Sequence, residues 1–362
     1  MSRPAAPSRT DPPSSGERDA ACLCVDRNML IPAFFVADAV KRAAEAAGSD
    51  FDVVVVTAPG EVSPEHKAFA ATRGLLVDDS FDTAPLQGIT PREKRLSPAT
   101  LIKLLLAEHF GERYRMLLYL DADLTIHGDL GPLFRLDLGE HAVAAVPSGR
   151  IWLDRRDWER QAAEAEFEAL GMTPPYRFVN SGVLLIHPAN WRRDRLGARI
   201  LDFGRRTPAL CRLPDEHALN AVLDGKLLEL SPVWNLRPDQ PRPGAPLPVI
   251  VHYAGNNKPW RRFQPHKGLF AQRAAYRLYA DFIGATPWPG WLRAQWTWRD
   301  LALALRHAGV RRYRRWRQPS PLRDPARRAA FEQEVREQYR GERFVDVRQG
   351  IVVERDGRLR RA

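Results

Sequence analysis

Cysteine is scarce, with three in 362 residues. That is too few for a disulfide framework, and Cys22 and Cys24 fall in an apolar run that reads as a buried first strand. They are expected to act as small core hydrophobes in a reducing compartment. Long apolar runs are missing too: no stretch approaches the roughly 20 residues of a membrane-spanning helix. The first twenty residues are rich in Pro, Ser, Ala and charge and carry no signal-peptide core, so a disordered start (1–19) and a cytoplasmic location are expected. The absence of an internal repeat excludes solenoid architectures.

A charge excess is also missing from most of the chain, although the net charge is +11. Residues 1–290 carry 36 Lys and Arg against 35 Asp and Glu. Residues 291–317 carry 8 against 1, and 318–362 carry 11 against 8. A nearly neutral body offers no extended basic groove, so no nucleic-acid partner is expected. The anion-seeking part is the tail.

Apolar runs alternate with helical patterns. Strands are predicted at Ala21–Val25, Phe51–Val56, Gly74–Asp78 and Arg115–Leu120, with helices over Met29–Ala47, Ser63–Arg73 and Ser97–Phe110. Ser63 and Ser97 read as N-caps, each followed by Pro at the first helical position. The alternation predicts an α/β fold with a mostly parallel sheet and ligands at the carboxyl ends of its strands. Further strands are expected at Ala142–Val146, Val183–His187 and Val249–Tyr253. Helices are expected at Asp154–Leu170, Trp191–Arg206 and Glu216–Asp224. The Pro-rich stretch from 232 to 248 reads as an irregular loop near substrate, and a boundary is placed between 265 and 289.

The strand Arg115–Leu120 ends in Asp121-Ala122-Asp123. Alternate residues of an extended chain share a side, so both carboxylates can reach one hard divalent cation, which would neutralise a diphosphate. Asn180-Ser181-Gly182 precedes an apolar run; its amide can hold a sugar hydroxyl from both ends, and alone it also reads as a turn into a strand. Asp215-Glu216-His217 opens a helix after Pro214, where acidic groups can be caps or functional groups. His252 closes a Val-rich strand; an imidazole with two carboxylates suits Mn²⁺ better than Mg²⁺, and a lone His is also commonly structural. Gly255 and Lys258 can wrap a phosphate and stabilise a departing diphosphate, or Lys258 can be a surface cation.

The ordered set Tyr-Leu-Asp-Ala-Asp, Asn-Ser-Gly, Asp-Glu and His-Tyr-Ala-Gly-Asn-Asn-Lys-Pro-Trp resembles glycosyltransferase family 8, which contains glycogenin and bacterial lipooligosaccharide α-galactosyltransferases, over residues 20–265. The resemblance implies a GT-A fold, a UDP-linked sugar donor, Mn²⁺ with Mg²⁺ as the substitute, and transfer with retention of anomeric configuration. Position by position it implies Asp121, Asp123 and His252 on the metal, with Ala122 between them. It puts Cys24, Asp26 and Asn28 on uracil and ribose, Asn180, Ser181 and Asp215 on the transferred sugar, and Gly255 and Lys258 on the diphosphate. The metal and Lys258 then assist UDP departure. Two departures stand out. Leu101 is read at a position where many relatives carry Arg, with Lys103, Lys94 or Arg95 as substitutes, and Glu216 stands where relatives commonly have Gln. Glu216 is therefore a candidate nucleophile or, preferred, an electrostatic stabiliser.

Residues 291–317 combine eight Arg with four Trp. At about 100° per residue, Trp291, Trp298, Leu301, Leu305, Tyr313 and Trp316 share one face, with Trp296 and Arg312 as exceptions and Gly309 as a bend. This reads as a helix lying on an anionic membrane surface, within a basic helical extension (266–317), or as a helix packed on the body. A charged helix from Asp324 to Tyr339 and a small β element at Phe344–Val347 and Ile351–Glu354 fill the last segment (318–362).

The expectation is a hexosyltransferase acting on a glycan or glycolipid, with a lipopolysaccharide or other surface glycan as the candidate acceptor, at the inner face of a membrane. A sugar nucleotidyltransferase would need a Gly-rich basic loop after the first strand, and Asp26-Arg27-Asn28 provides none. A catalytically silent binder of the same fold is the non-enzyme alternative, hinted at by Leu101 and Glu216.

Overall fold

The computed structural model describes residues 18–89, 97–149, 155–238, 248–255, 258–261, 273–295 and 320–339, isolated positions between 298 and 313, and 351–353 and 359–361. Its first half alternates as the hydrophobic pattern dictates. β1 (Arg18–Cys24) leads into α1 (Leu30–Ala47), which stops at Gly48 with φ 70°, a left-handed conformation that glycine adopts without strain. β2 (Asp52–Val56), α2 (Pro64–Thr72) and β3 (Leu76–Asp78) follow. The Ser63 side chain accepts from the His66 amide at the start of α2 and Pro64 fills its first position, as the sequence indicates.

The segment expected as one helix over Ser97–Phe110 divides. Pro98–Leu105 winds as a 3₁₀ helix and only Leu106–Phe110 is α-helical (α3). A 3₁₀ run of this length is uncommon on its own; here Lys103 is tied to two neighbouring elements. β4 (Tyr114–Leu120), β5 (Leu124–Ile126), α4 (Gly131–Phe134), β6 (Val143–Pro147) and α5 (Asp157–Ala169) come next. β7 spans Val179–Ile186, so Asn180, Ser181 and Gly182 lie inside the strand and do not precede it. Its partner β6 extends the ladder past the purely apolar run, pairing Pro147 with Val179. The helix expected over Trp191–Arg206 is two, α6 (Pro188–Arg193) and α7 (Leu196–Arg206), because Arg195 takes a left-handed φ of 52° between them. α8 (Pro214–Val222), β8 (Leu228–Glu229) and β9 (Ile250–His252) complete the body.

Seven strands form one sheet in the order β3-β2-β1-β4-β7-β6-β8. Its ladders are parallel except the two that β7 makes with β4 and β6. Period-two alternation sends Ala21, Leu23, Val53 and Leu118 into one core and Cys22, Val54, Leu117 and Tyr119 into the other. Helix α1 covers the first face, and the 3₁₀ segment with α3, α5 and α7 covers the second. β5 and β9 form a separate antiparallel pair with Leu124 opposite His252.

The C-terminal region packs on this body. α9 (Arg273–Gly284) lies against α1, with Tyr279 3.8 Å from Phe35 between ring centroids and Phe282 and Ile283 in the same core. After α10 (Trp291–Ala294), the helix Pro325–Tyr339 (α11) buries Phe331 and Val335 in that core too. Ile351–Val353 and Leu359–Arg361 form an antiparallel hairpin, while Phe344–Val347 lies outside the described residues. Of the aromatic face expected in the tail, Trp291 turns inward, packing 6.0 Å from Trp260, whereas Trp298 (72% exposed), Leu305 (57%) and Tyr313 (57%) face solvent. Trp296, Leu301, Arg312 and Trp316 lie outside the described residues.

Candidate active site

Asp121 and Asp123 lie just past β4, in the turn to β5, and not on an extended strand end. They converge because the turn is fastened on every side, not because of strand pleating. The Asp121 amide donates to the Gly182 carbonyl at 2.8 Å, the Tyr253 amide donates to the Asp123 carbonyl at 2.9 Å, and the Leu124 and His252 pairing brings in the imidazole. His252 Nε2 is then 3.3 Å from both Asp121 Oδ2 and Asp123 Oδ1. The Tyr119 hydroxyl donates to Asp121 Oδ1 at 2.5 Å, and Lys258 pairs with Asp123.

Charge in this cluster is strongly mutual. Burial opposes ionisation of Asp123, but Lys258 and His252 hold its carboxyl well below the usual range. Asp121 is likewise lowered against burial, first by Lys103. Burial would lower the imidazole of His252, yet the two carboxylates push it up to about 9.

The residues fit a divalent ion. His252 is 1% exposed, and its Nε2 is a buried nitrogen with no hydrogen-bond partner, aimed at two carboxylates. One nitrogen and two carboxylates form a mixed donor set for a divalent ion. Gly182 supplies the room. A Cβ there would run into the His252 ring and come within 2.7 Å of Asp121 Oδ2.

Beside this cluster opens a cavity of about 460 Å³, lined by Asp121, Asp123, Asn180, Ser181, Asp215, Glu216, His252, Gly255 and Lys258 among others. α8 delivers two of these. Asn220 clamps α8 to β7, accepting from the Val179 amide at 2.7 Å and donating to its carbonyl at 2.9 Å, so the first turn of α8 faces Asn180 and Ser181. Asn180 Nδ2 donates to Glu216 Oε2 at 2.7 Å, and Ser181 Oγ donates to Asp215 Oδ2 at 3.0 Å. Burial, then the neighbouring Asp215 charge, raises the Glu216 carboxyl above its usual value. Gly255 holds φ 88°, letting the chain turn toward Lys258. His217 is fully buried and bound to Glu166 at 2.6 Å and to the Leu213 carbonyl, a structural role in the first turn of α8.

Cys24, Asp26, Asn28 and Ala122 do not line this cavity. The register that pairs Cys22 with Tyr119 carries the buried Cys24 alongside the Asp121 turn. Asp26 and Asn28 lie just beyond it, where Asp26 caps the turn by accepting from the Asn28 amide at 3.0 Å. Ala122 is buried, and its carbonyl accepts from Tyr279.

Residues 23–264 match the sequence profile of glycosyl transferase family 8. The chain belongs to that family. It is 26% identical over 172 residues to general stress protein A of Bacillus subtilis (strain 168), covering 43% of this chain and 56% of that protein. It is 27% identical over 180 residues to the lipopolysaccharide glucosyltransferase WaaO of Escherichia coli (strain K12), covering 47% and 51%. The chain thus spans about half the length of these curated relatives. Among solved structures, the galactosyltransferase LgtC in complex with donor and acceptor sugar analogs superposes with a TM-score of 0.61 at 20% identity, covering 74% of this chain and 96% of that one. The fold of this family 8 chain is therefore GT-A.

Leu101 does not reach the site. It is buried in the core, and the cation beside Asp215 and Ser181 is Lys103, 2% exposed. Its ammonium lies 2.7 Å from Asp215 Oδ2, 3.8 Å from Asp121 Oδ1 and 3.1 Å from Ser181 Oγ. Burial works against that charge, but Asp215 and Asp121 hold it above its ordinary value. Three residues per 3₁₀ turn set Lys103 over Thr100 and leave Leu101 to the core. The signal was legible: Lys103 is the single charge in the run Pro98–Ala107. Lys94 and Arg95 lie outside the described residues. Tyr279, whose hydroxyl reaches the Ala122 and Leu124 carbonyls at 3.2 and 2.8 Å, and Asn235 carried no local signal.

Proposed function

We propose that this chain transfers a hexose from a UDP-linked donor to a hydroxyl of a glycan or glycolipid, with retention of configuration and with Mn²⁺ as the preferred ion. The observation that carries the reading is the convergence of Asp121, Asp123 and the unpartnered Nε2 of His252 at one wall of a cavity whose other walls bear Lys258 and the Asn180, Asp215 and Glu216 group. The lipopolysaccharide glucosyltransferase among the relatives favours a surface glycan as acceptor.

Asp121, Asp123 and His252 would hold the ion, which supplies Lewis-acid neutralisation of a diphosphate. Lys258 adds a positive charge beside the same oxygens, and the turn at Gly255 brings backbone close to them. Lys103 locks Asp215 and Ser181 in place, so that the Asp215 carboxylate and the Asn180 amide present fixed hydrogen-bond partners to sugar hydroxyls. The anomeric C–O bond breaks with its electron pair leaving on UDP. The acceptor oxygen bonds from the same face, and its proton passes to the departing phosphate oxygen. Glu216, oriented by Asn180, stabilises the positive charge that develops on the ring.

The test is UDP release with Mn²⁺ from UDP-glucose, UDP-galactose and their N-acetyl forms, slow donor hydrolysis sufficing. Release that disappears in Asp121→Ala supports the reading; measurable UDP binding with no release from any of these donors refutes it and favours the silent binder. Glu216→Gln separates two roles. Substantial remaining activity fits a stabiliser, and background activity with intact donor binding fits a nucleophile.

The workplace proposed for the enzyme is the cytoplasmic face of an anionic membrane. Among the described residues no helix is long and apolar enough to cross one. Support comes from the exposed Trp298, Leu305 and Tyr313 within a segment of eight Arg and one acidic residue. Each cation near an anionic leaflet contributes about 1 kcal/mol.

A further inference from the structure

The amide of Asn235 is 2% exposed, and both of its ends are used. Its Nδ2 donates to Asn180 Oδ1 at 2.9 Å, and its Oδ1 accepts from His252 Nδ1 at 2.9 Å. Asn180 in turn donates to Glu216 at 2.7 Å. One file of hydrogen bonds therefore runs from the imidazole through two amides to the carboxylate.

The polarity of that file is set by a backbone group. The Gly182 amide donates to the Asn180 side chain at 3.1 Å, and a backbone N–H can only donate, so the end of Asn180 it meets is the oxygen. The end of Asn235 that meets the same oxygen must then be its NH₂. Its oxygen is left for His252, whose Nδ1 must carry the proton. In its neutral form the imidazole then keeps the lone pair of Nε2 toward Asp121 and Asp123, where a bound ion would take it. Reversing Asn235 would set oxygen against oxygen at Asn180 and turn the Nε2 proton toward the carboxylates' shared space. The backbone holds the pair in register: Leu236 bridges Val251, its amide donates to the Ile250 carbonyl at 3.0 Å, and the His252 amide donates to the Leu236 carbonyl at 2.8 Å.

We propose that Asn235 is a positioning residue that fixes the tautomer of His252 for metal binding and couples that ligand, through Asn180, to Glu216. The proposal rests on the metal reading above. Only a primary amide gives an acceptor at one end and a donor at the other in this span, which is why neither Asp nor Leu substitutes for both functions.

The two ends are separable by titrating Mn²⁺ into the purified full chain without nucleotide, by calorimetry, alongside donor hydrolysis. Asn235→Leu removes the acceptor for Nδ1, and its Mn²⁺ affinity is expected to fall about 10- to 100-fold, the usual effect of losing a partner behind a metal-bound His. Asn235→Asp keeps an acceptor for Nδ1 and loses the donor to Asn180. It is expected to hold Mn²⁺ within about threefold of wild type while kcat for donor hydrolysis drops about tenfold or more, a loss of one misdirected hydrogen bond in the reacting state. Folded Asn235→Leu with wild-type affinity overturns the proposal. If that variant does not fold, Asn235→Asp decides alone: lost Mn²⁺ affinity overturns the tautomer claim, and unchanged kcat overturns the coupling to Glu216. A wild-type chain that binds no Mn²⁺ defeats the metal reading itself, which separates the two failures.

Discussion

Replacing Lys103 by Met keeps the length and apolar stem of the side chain and deletes its ammonium. In an effective dielectric of about 20, the attraction to Asp215 at 2.7 Å is about 6 kcal/mol and that to Asp121 at 3.8 Å about 4 kcal/mol. Against these stands a desolvation cost of several kcal/mol for each buried ion, so the intact cluster gains little net stability. Removing only the cation leaves Asp215 buried, with Ser181 Oγ as its remaining partner from this trio. The expected loss is about 3–5 kcal/mol. Urea unfolding at unchanged m-value measures it as a lower midpoint. The double variant Lys103→Met with Asp215→Leu should recover the part of the loss that comes from Asp215, because that carboxylate is no longer left uncompensated, while Asp121 keeps His252 as its partner. A single variant that loses less than about 1 kcal/mol, or a double variant no better than the single, refutes the argument that Lys103 and Asp215 form one electrostatic unit.

Glu216→Gln keeps an acceptor for Asn180 and removes a carboxylate whose ionisation is opposed by burial and by Asp215. Because that carboxyl is raised in the fold, the native state holds its proton more tightly than the unfolded chain, and stability falls as pH rises through the raised value. The variant should therefore match wild type in acid and gain on the order of 1 kcal/mol toward neutral pH; unfolding midpoints that differ equally at both ends contradict this. Gly182→Ala pushes a methyl group against the His252 ring and should cost about 1–3 kcal/mol and abolish Mn²⁺-dependent UDP release, whereas wild-type turnover would mean the ring lies elsewhere. Tyr279→Phe leaves the Ala122 and Leu124 carbonyls without their buried donor, and thermal melts should register a loss of about 1–3 kcal/mol together with slower donor hydrolysis. Trp298→Ala with Leu305→Ala and Tyr313→Ala should weaken cosedimentation with anionic vesicles without altering hydrolysis of a soluble donor; unchanged cosedimentation removes these side chains from membrane binding.

Local chemistry was legible in the chain. The alternation from Ala20 to Leu120, the Ser63 cap, the Asp121 and Asp123 pair and the tail's charge all arise from neighbours in sequence, where period-two and period-3.6 patterns and capping rules act directly. Even there, the helix expected over Ser97–Phe110 is largely 3₁₀, in a segment whose Lys103 contacts β7 and α8, elements remote in sequence. Likewise, the strand expected to begin at Val183 begins at Val179, since ladder pairing continues where apolar patterning stops.

The sequence by itself determined the kinds of groups available: two acids, an imidazole, a glycine and a lysine, in an order that resembles one family. Tertiary structure alone decided which of them meet. Asp123 and Lys258 are 135 residues apart, Lys103 and Ser181 78, Asn180 and Asn235 55. No local rule reaches across such spans. What brings them together is the strand order that seats β7 beside β4, set by burying both apolar faces of the seven-stranded sheet, together with the separate antiparallel pairing of β5 with β9.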